Sequence, residues 1–138
     1  MSKSAEDALA ELFAAALEAR ALAYAPYSKF KVGAAIRAPS GRIVAGCNVE
    51  NVAYPQGACA EANAIGALIL SGETRIAEIL VIGEGVGLCT PCGGCRQRIR
   101  EFAGPDTQVH VAGLMGVRRS FRLDELLPES FGPEHLRG

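Results

Sequence analysis

The sequence has few aromatic side chains and no excess of charge of either sign. Aromatic residues make up 6% of the 138 residues, tryptophan is absent, and 14 Lys and Arg stand against 15 Asp and Glu. Proteins that bind single-stranded nucleic acid usually combine a positively charged groove with aromatic side chains on which the bases stack. The sequence is poor in both features, so we expect no nucleic-acid partner.

Long apolar runs are also missing. None approaches the roughly 20 apolar residues that a membrane-spanning helix needs, so we expect no membrane association. Residues 1–7 are polar and partly acidic, unlike a secretory signal. The five cysteines are an odd number, and without export a disulfide framework is a poor interpretation. We therefore expect a cytoplasmic protein with reduced thiols, some of which hold a metal ion.

The size and composition that are present suit one globular domain. Hydrophobic residues make up 49% of the chain and charged residues 21%, which is close to the average for folded proteins. Domains cluster at roughly 100–150 residues. Neither a repeat nor a linker divides the sequence, and we predict a single domain over residues 1–138.

Hydrophobic spacing and turn residues predict the order of the secondary structure. We predict helices over 5–22, 59–70 and 91–102, strands over 30–38, 42–49, 76–82 and 108–112, a short strand at 120–123 and a short helix at 124–127. Pro-Ser-Gly at 39–41 suits a turn between the first two strands, and Pro91 suits the first position of the third helix. This order predicts an α/β domain, in which helices pack on the faces of one mixed sheet.

Three cysteines and a glutamate form the strongest chemical signal. Cys92 and Cys95 are three residues apart in the first turn of a predicted helix, and Cys59 begins another helix. Zinc is commonly held by such Cys-x-x-Cys pairs, and three protein ligands leave a fourth position for water, as catalytic zinc sites require. Glu61 follows Cys59 by two residues, close enough to exchange protons with that water. The pattern predicts a catalytic zinc site.

A structural metal site is the main alternative at these residues. Cys89 extends the pattern to C-x-x-C-x-x-C, which also suits a closed four-cysteine zinc site or an iron–sulfur site. Pro91 places Cys89 before the helix, however, and a structural site leaves Glu61 without a role. We therefore favour the catalytic interpretation, with Cys47 and Cys89 as small buried residues.

Neither histidine adds a clear ligand to this set. His110 lies on a predicted strand and His135 lies in the tail. Either could be a fourth ligand, but an isolated histidine is more often packed or solvated. We therefore leave both outside the predicted site.

At these residues the sequence resembles the short-chain, zinc-dependent cytidine deaminases. The pattern Cys-x-Glu at 59–61 followed by Pro-Cys-x-x-Cys at 91–95 is the signature of zinc deaminases. The resemblance extends to the segments at 27–35, 46–55, 92–97 and 126–133. It implies a three-layer α-β-α fold and a hydrolase that converts cytidine or deoxycytidine to uridine or deoxyuridine and ammonia in pyrimidine salvage.

The resemblance also implies a role for individual residues. Cys59, Cys92 and Cys95 would hold one Zn²⁺ per subunit, and Glu61 would be the catalytic residue that carries protons. The implied substrate-binding residues are Phe30, Asn48, Val49, Glu50, Asn51, Tyr54, Ala60 and Phe131.

Among the implied substrate-binding residues, Asn48 and Glu50 would hydrogen-bond the ribose and Phe30 would pack against the base. Tyr54 and Phe131 would complete pockets at subunit contacts, in a homotetramer with shared active sites. The simpler alternatives are that Phe30 belongs to the core and that Asn48 and Glu50 are ordinary loop residues.

Glu50 indicates the class of substrate. A carboxylate in the sugar site would repel a nearby phosphate, and the sequence has no basic segment suited to hold one. We therefore predict a free nucleoside, cytidine or deoxycytidine, as the substrate.

One position departs from the family pattern. The residue after the catalytic glutamate is often arginine in this family, but here it is Ala62. Three thiolates on Zn²⁺ leave a net charge of −1, which such an arginine would offset. We expect the helix dipoles, together with Arg96 or Gln97, to compensate in its place.

Three other functions are open to a chain with these motifs. A deaminase of the blasticidin S type uses similar zinc motifs, although the segments at 48–51 and 130–133 favour the nucleoside enzyme. A non-catalytic, zinc-stabilised binding module would not need Glu61. A nucleic-acid-editing deaminase is disfavoured by the balanced charge and the scarcity of aromatic residues.

Overall fold

The computed structural model of the protein describes residues 4–137. Its helices are α1 (Ala5–Ala21), α2 (Ala60–Leu70), α3 (Gly93–Phe102) and α4 (Leu123–Leu126), with short 3-10 turns at Tyr54–Gln56 and Pro133–His135. Its strands are β1 (Gly33–Arg37), β2 (Ile43–Cys47), β3 (Glu78–Ile82), β4 (Gln108–Gly113) and β5 (Gly116–Arg122).

The five strands form one mixed sheet in the order β2-β1-β3-β4-β5. Strands β3 and β4 are parallel, and the other neighbouring strands are antiparallel. Parallel neighbours need a crossover connection, and α3 supplies it between β3 and β4. The mixed sheet of five strands predicted from the sequence is confirmed.

Helices cover both faces of the sheet. On one face α1 packs Leu12 and Ala16 against Ala35, Leu80 and Ile82. On the other face α2 and α3 pack on the alternate residues of the same strands, in a larger cluster. The residues of this cluster are Ala34, Ile36, Ala38, Ala60, Ala64, Ile65, Leu68, Ile76, Ile79, Val81, Ile99, Ala103, Val109 and Leu123. Alternation along each strand thus produces the three-layer α/β arrangement that the resemblance implied.

Strands β1 and β2 form the predicted hairpin but are shorter than predicted. They pair from Gly33 with Cys47 to Arg37 with Ile43, and Gly41 adopts a φ of 97° in the turn. Residues 30–32 and 48–49 leave the ladder. Asn48 and Val49 instead join the loops around them through other hydrogen bonds. The predicted ends were wrong because the hydrophobic pattern continues past the point where the backbone turns towards the loops.

The prediction that Pro91 is the first helical residue of α3 is also wrong. The helix begins at Gly93, and Cys92 is its N-cap, with an extended backbone (φ −65°, ψ 167°). Cys59 is likewise the N-cap of α2 rather than its first helical residue. Both cysteines therefore lie just before the first free N–H groups of a helix, where an anionic side chain is stabilised.

The last strand is longer than predicted. It runs from Gly116 to Arg122, whereas the sequence analysis placed a short strand at 120–123. Gly116, with a φ of 143°, follows directly on the turn after Gly113, so β5 returns alongside β4 almost at once. Among the residues described, none of the helices is both long and apolar enough to cross a membrane.

Candidate metal centre and active site

Three cysteine sulfurs converge at the ends of α2 and α3. The Sγ atoms of Cys59, Cys92 and Cys95 all lie within 4.8 Å of one another. Cys59 and Cys92 are exposed N-cap residues whose side chains make no capping hydrogen bond, and Cys95 is buried in the first turn of α3. The sulfur atoms are thus available as ligands, and two of the three residues face solvent.

The three thiols differ in how readily they ionise. Burial is the main factor that raises the pKa of Cys59 and of Cys95. A backbone hydrogen bond from Cys95 is the main factor that lowers the pKa of Cys92. Three sulfurs this close repel one another as anions, so a bound cation is what allows all three to be thiolates. A set of three thiolates suits Zn²⁺, which prefers sulfur and nitrogen ligands in a tetrahedral arrangement.

Glu61 lies on the wall of a cavity beside the cysteines. Its side chain is buried, with 5% of the residue exposed, and it lies in the first turn of α2. Burial raises the pKa of its carboxyl group, and a backbone hydrogen bond, Cys95 and the charge of Arg98 partly oppose that effect. A carboxyl group with a raised pKa holds a proton more firmly than an exposed one, which suits a residue that must both accept and donate protons.

A cavity of about 180 Å³ joins the metal ligands to predicted substrate-binding residues. Its lining residues are Val32, Asn48, Cys59, Ala60, Glu61, Cys89, Thr90 and Cys92. The structure therefore places Asn48 and Ala60 on the same cavity as two of the cysteines and Glu61. Cys89 lines the same cavity but is not one of the three grouped sulfurs, so the structure does not describe a four-cysteine site.

Glu50, Asn51 and Tyr54 line a second cavity, of about 360 Å³. Tyr27 and Ser28 also line it, and the sequence analysis did not single these two out. Both could have been predicted as site residues, since they lie in the segment at 27–35 that carries the family resemblance. The predicted ribose-binding pair is thus divided, with Asn48 on the first cavity and Glu50 on the second.

The carboxylate of Glu50 is held by the loop before β1. It accepts hydrogen bonds from the backbone N–H of Tyr27 at 2.9 Å and of Ser28 at 3.1 Å, and a further one from the Ser28 hydroxyl. The Ser28 hydroxyl is the main factor that lowers the pKa of Glu50. Glu50 is therefore an ionised group in a fixed position at the second cavity.

Asn48 anchors the segment that carries Phe30. Its Oδ1 accepts a hydrogen bond from the N–H of Val32, and its Nδ2 donates to the carbonyl of Phe30, both at 2.9 Å. Phe30 is 41% exposed, so the alternative that it is a core residue is wrong. The side-chain amide of Asn48 thus fixes the position of residues 30–32, the segment that leads into β1 beside the metal ligands.

Three predicted substrate-binding residues line neither cavity: Phe30, Val49 and Phe131. Phe131 is 55% exposed and stacks on His135, with ring centroids 5.2 Å apart. Its carbonyl accepts a hydrogen bond from Gln97 Nε2 at 2.9 Å. This chain by itself therefore does not bring Phe131 to the site.

Arg98, rather than Arg96 or Gln97, is the residue that contacts a ligand sulfur. Arg98 Nη1 donates to the Sγ of Cys95 at 3.6 Å. Arg96 donates instead to the carbonyls of Pro91 and Leu126 and to the hydroxyl of Thr90. The spacing could have indicated this, because residues three apart on a helix lie on the same face.

The two histidines lie outside the metal centre, as the sequence analysis expected. His110 is buried on β4 between Ser120 Oγ at 2.6 Å and Glu78 Oε1 at 2.8 Å. His135 Nδ1 accepts a hydrogen bond from the N–H of Gly132 at 2.9 Å. Neither ring belongs to the group of metal-ligating side chains at the ends of α2 and α3.

The arrangement of three thiolates and a buried carboxyl group agrees with comparisons to known proteins. Residues 7–111 match the family model for the cytidine and deoxycytidylate deaminase zinc-binding region. The chain therefore belongs to this family of zinc-binding deaminases.

Similar proteins and structures carry a more specific name. A cytidine deaminase of Sporosarcina psychrophila is 40% identical over 126 residues, which cover 91% of this chain and 93% of that protein. A cytidine deaminase of Mycobacterium tuberculosis strain H37Rv is 40% identical over 122 residues, covering 88% and 87%. The crystal structure of cytidine deaminase from Burkholderia pseudomallei has a TM-score of 0.83 and 41% identity, covering 88% of this chain and 98% of that one.

Proposed function

We propose that this protein is a zinc-dependent cytidine deaminase, which hydrolyses free cytidine and deoxycytidine to uridine and deoxyuridine with release of ammonia. The observation that carries the proposal is the buried carboxyl group of Glu61 on the same cavity as Cys59 and Cys92. A closed structural metal site would have no use for a buried acid beside its ligands. The relatives named cytidine deaminases, at about 40% identity over most of the chain, support the same activity.

The three cysteines would hold the metal ion in this proposal. Cys59 and Cys92 would present thiolates at the positive ends of α2 and α3, and Cys95 would add the third from inside the first turn of α3. When bound, zinc supplies a polarised water molecule as the nucleophile for C4 of the cytosine ring.

Glu61 would carry the protons of the reaction. Its carboxylate would accept a proton from the attacking water and deliver it to ring N3. It would then accept the remaining proton of the hydroxyl group on C4 and pass it to the amino group, so that the C4–N bond breaks, ammonia leaves and the C4 oxygen becomes a carbonyl. Its burial favours the protonated form, so the carboxyl group keeps the proton between these transfers rather than losing it to solvent.

The remaining predicted residues would bind the nucleoside. Asn48 would hold the segment before β1 in place and face the sugar from the first cavity. Glu50 would accept hydrogen bonds from ribose hydroxyls at the second cavity. Ala60 would border the base, since it lines the cavity of the metal ligands. Phe30 would pack against the base, while Val49 and Asn51 would complete the loop around the sugar.

We also propose a homotetramer with shared active sites, in which one domain over residues 1–138 forms each subunit. Support comes from large apolar side chains that this chain leaves exposed, among them Tyr54 at 75%, Val52 at 76% and Phe131 at 55%. Contiguous exposed apolar surface is typical of contact between subunits. A place in cytoplasmic pyrimidine salvage follows from the proposed substrate and belongs to the same proposal.

The decisive experiment compares the purified protein with a Glu61→Gln variant. Conversion of cytidine to uridine is followed by ultraviolet absorbance, and zinc per chain is measured in the same samples. We expect Glu61→Gln to keep its zinc and to lose roughly a hundredfold to ten-thousandfold in turnover, the usual contribution of a general acid–base residue. The matched control is Glu73→Gln, which removes a carboxylate that contacts Ser40 and Arg42 instead.

Two outcomes would contradict the proposal. Absence of cytidine turnover in the wild-type protein, together with an unchanged zinc content in Glu61→Gln, would indicate a non-catalytic binding module. Turnover of blasticidin S in preference to cytidine would indicate the antibiotic-inactivating type of deaminase. A metal chelator should abolish cytidine turnover in the wild-type protein, and added zinc should restore it.

A further inference from the structure

We infer that Arg98 is a positioning residue of the metal centre, whose guanidinium group offsets the excess negative charge of the three thiolates through Cys95. The inference rests on the proposed zinc site. Arg98 Nη1 donates to the Sγ of Cys95 at 3.6 Å. The same nitrogen would lie 3.3 Å from a Cβ built on Gly94, so the arginine folds back along the first turn of α3.

The charge at the centre calls for such a cation. Three thiolates exceed the charge of Zn²⁺ by one, and Glu61 adds a further negative charge whenever it is ionised. The N-terminal ends of α2 and α3 contribute partial positive charges of roughly half a unit each. Arg98 contributes a full positive charge, because its guanidinium group is a cation with five N–H donors and no acceptor.

Other nearby residues are not available for this role. The first turn of α2 contains Ala60, Glu61, Ala62 and Asn63, none of which is a cation, and the Asn63 side chain donates to the carbonyl of Cys47 at 2.7 Å. The guanidinium group of Arg96 is engaged by two carbonyls and a hydroxyl. Within residues 4–137, Arg98 is the one cationic side chain described as a hydrogen-bond donor to a grouped sulfur.

The position of Arg98 is not explained by an ion pair. Within the described part of the chain, no salt bridge joins Arg98 to a carboxylate, whereas its helix neighbour Arg100 pairs with Glu134 at 2.5 Å. A surface arginine that only stabilised α3 would gain more from a carboxylate than from a sulfur. The sulfur contact therefore indicates that Arg98 serves the metal centre.

Residues that hydrogen-bond metal ligands typically change metal affinity or activity by 10–100-fold when they are lost. We expect Arg98→Gln to bind zinc about tenfold more weakly than the wild type. Turnover by the zinc-loaded variant should fall with little change in KM, because the excess negative charge of the centre, no longer offset by Arg98, makes zinc a weaker Lewis acid.

The test measures zinc affinity by competition with a chromophoric chelator at one fixed pH, and then kcat and KM for cytidine on the zinc-loaded proteins. The variants are Arg98→Gln, Arg98→Lys, which keeps the charge, and Arg42→Gln as matched control. The Arg42→Gln substitution removes the same positive charge at a distant surface position, where Arg42 lies beside Glu73. Circular dichroism of each protein verifies that the fold is retained.

The expected result is a loss of about tenfold in zinc affinity for Arg98→Gln, recovery to within roughly threefold for Arg98→Lys, and no change for Arg42→Gln. Wild-type zinc affinity in Arg98→Gln, or an equal loss in Arg98→Lys, would overturn the inference. If the wild-type protein itself fails to bind zinc or to deaminate cytidine, the proposed function fails instead, so the two failures are distinguishable.

Discussion

Gly46 on β2 and Ala64 on α2 lie so close together that a side chain on Gly46 would overlap the backbone nitrogen of Ala64. The carbonyl carbon of Asn63 and the carbonyl oxygen of Ala60 would also lie within 2.8 and 2.9 Å of that added Cβ. A hydrogen bond of 2.7 Å from Asn63 Nδ2 to the carbonyl of Cys47 joins the same two elements. This close contact sets the position of α2, whose N-cap is Cys59 and whose first turn holds Glu61.

We predict that Gly46→Ala lowers the free energy of unfolding by about 1–3 kcal/mol, the usual cost of overpacking, and also impairs zinc retention. The matched control is Gly66→Ala in α2, where an added Cβ meets no atom within 4 Å. That change should raise the free energy of unfolding by about 0.5–1 kcal/mol, because alanine favours the helix. Urea unfolding measures both, and equal stability of the two variants would contradict the proposed contact.

We predict that the cysteines fall into two groups by zinc content. Substitution of Cys59, Cys92 or Cys95 by serine should leave the purified protein with almost no zinc, because each supplies one of three grouped sulfurs. Cys89→Ser and Cys47→Ser should retain about one zinc per chain, as expected of a three-ligand site. Zinc is measured after exposure to a mild chelator. Loss of zinc in Cys89→Ser would instead favour the four-cysteine structural site.

Glu50 should make a pH-dependent contribution to stability. Its pKa in the folded protein is lowered, mainly by the Ser28 hydroxyl, so the ionised carboxylate stabilises the folded state above the pKa that it has in the unfolded chain. That contribution is lost as the pH falls through the lowered folded pKa.

The measurement is the difference in unfolding free energy between wild type and Glu50→Gln as a function of pH. We expect this difference to be largest near neutral pH and to shrink in acid, and Ser28→Ala should make the dependence shallower. A difference that grows in acid would contradict the assignment of the hydrogen bonds to Glu50.

We predict that deoxycytidine is turned over at least about tenfold more efficiently than deoxycytidylate. The ionised Glu50 lies on the second cavity, where its negative charge would repel the phosphate of a nucleotide. Comparison of kcat/KM for the two substrates measures this preference. Glu50→Gln should narrow the ratio, and equal efficiency in the wild-type protein would show that Glu50 does not exclude phosphate.

Several features of the fold were accessible from local patterns. The spacing of apolar residues indicated α1, and the Pro-Ser-Gly turn at 39–41 indicated the hairpin of β1 and β2. The ends of β1 and β2 were harder to predict from local patterns. Residues 30–32 and 48–49 have the composition of strands, but the side chain of Asn48 accepts the hydrogen bond from the N–H of Val32, and Val49 forms isolated bridges outside the sheet.

The residues of the candidate site were likewise only partly predictable from the sequence. The pairing of Cys92 with Cys95 was predicted from spacing, because residues three apart in one helical turn share a face. The approach of Cys59 and Glu61 to that pair depends instead on how the starts of α2 and α3 meet. Arg98 lies within the same turn as Cys95 and was nevertheless overlooked in favour of Arg96 and Gln97. Its contact depends on a side-chain conformation that sequence spacing permits but does not select.

The sequence by itself determined which chemical groups the protein carries, namely the cysteines and glutamate of a metal site, a balanced charge and the short-range turns of its helices and hairpin. Only the tertiary structure decided that Asn48 and Glu50 line different cavities and that Phe131 lies away from both. The physical reason is that a helical turn is governed by neighbours within four residues, whereas the meeting of distant side chains depends on how closely whole elements pack, as Gly46 allows α2 to approach β2.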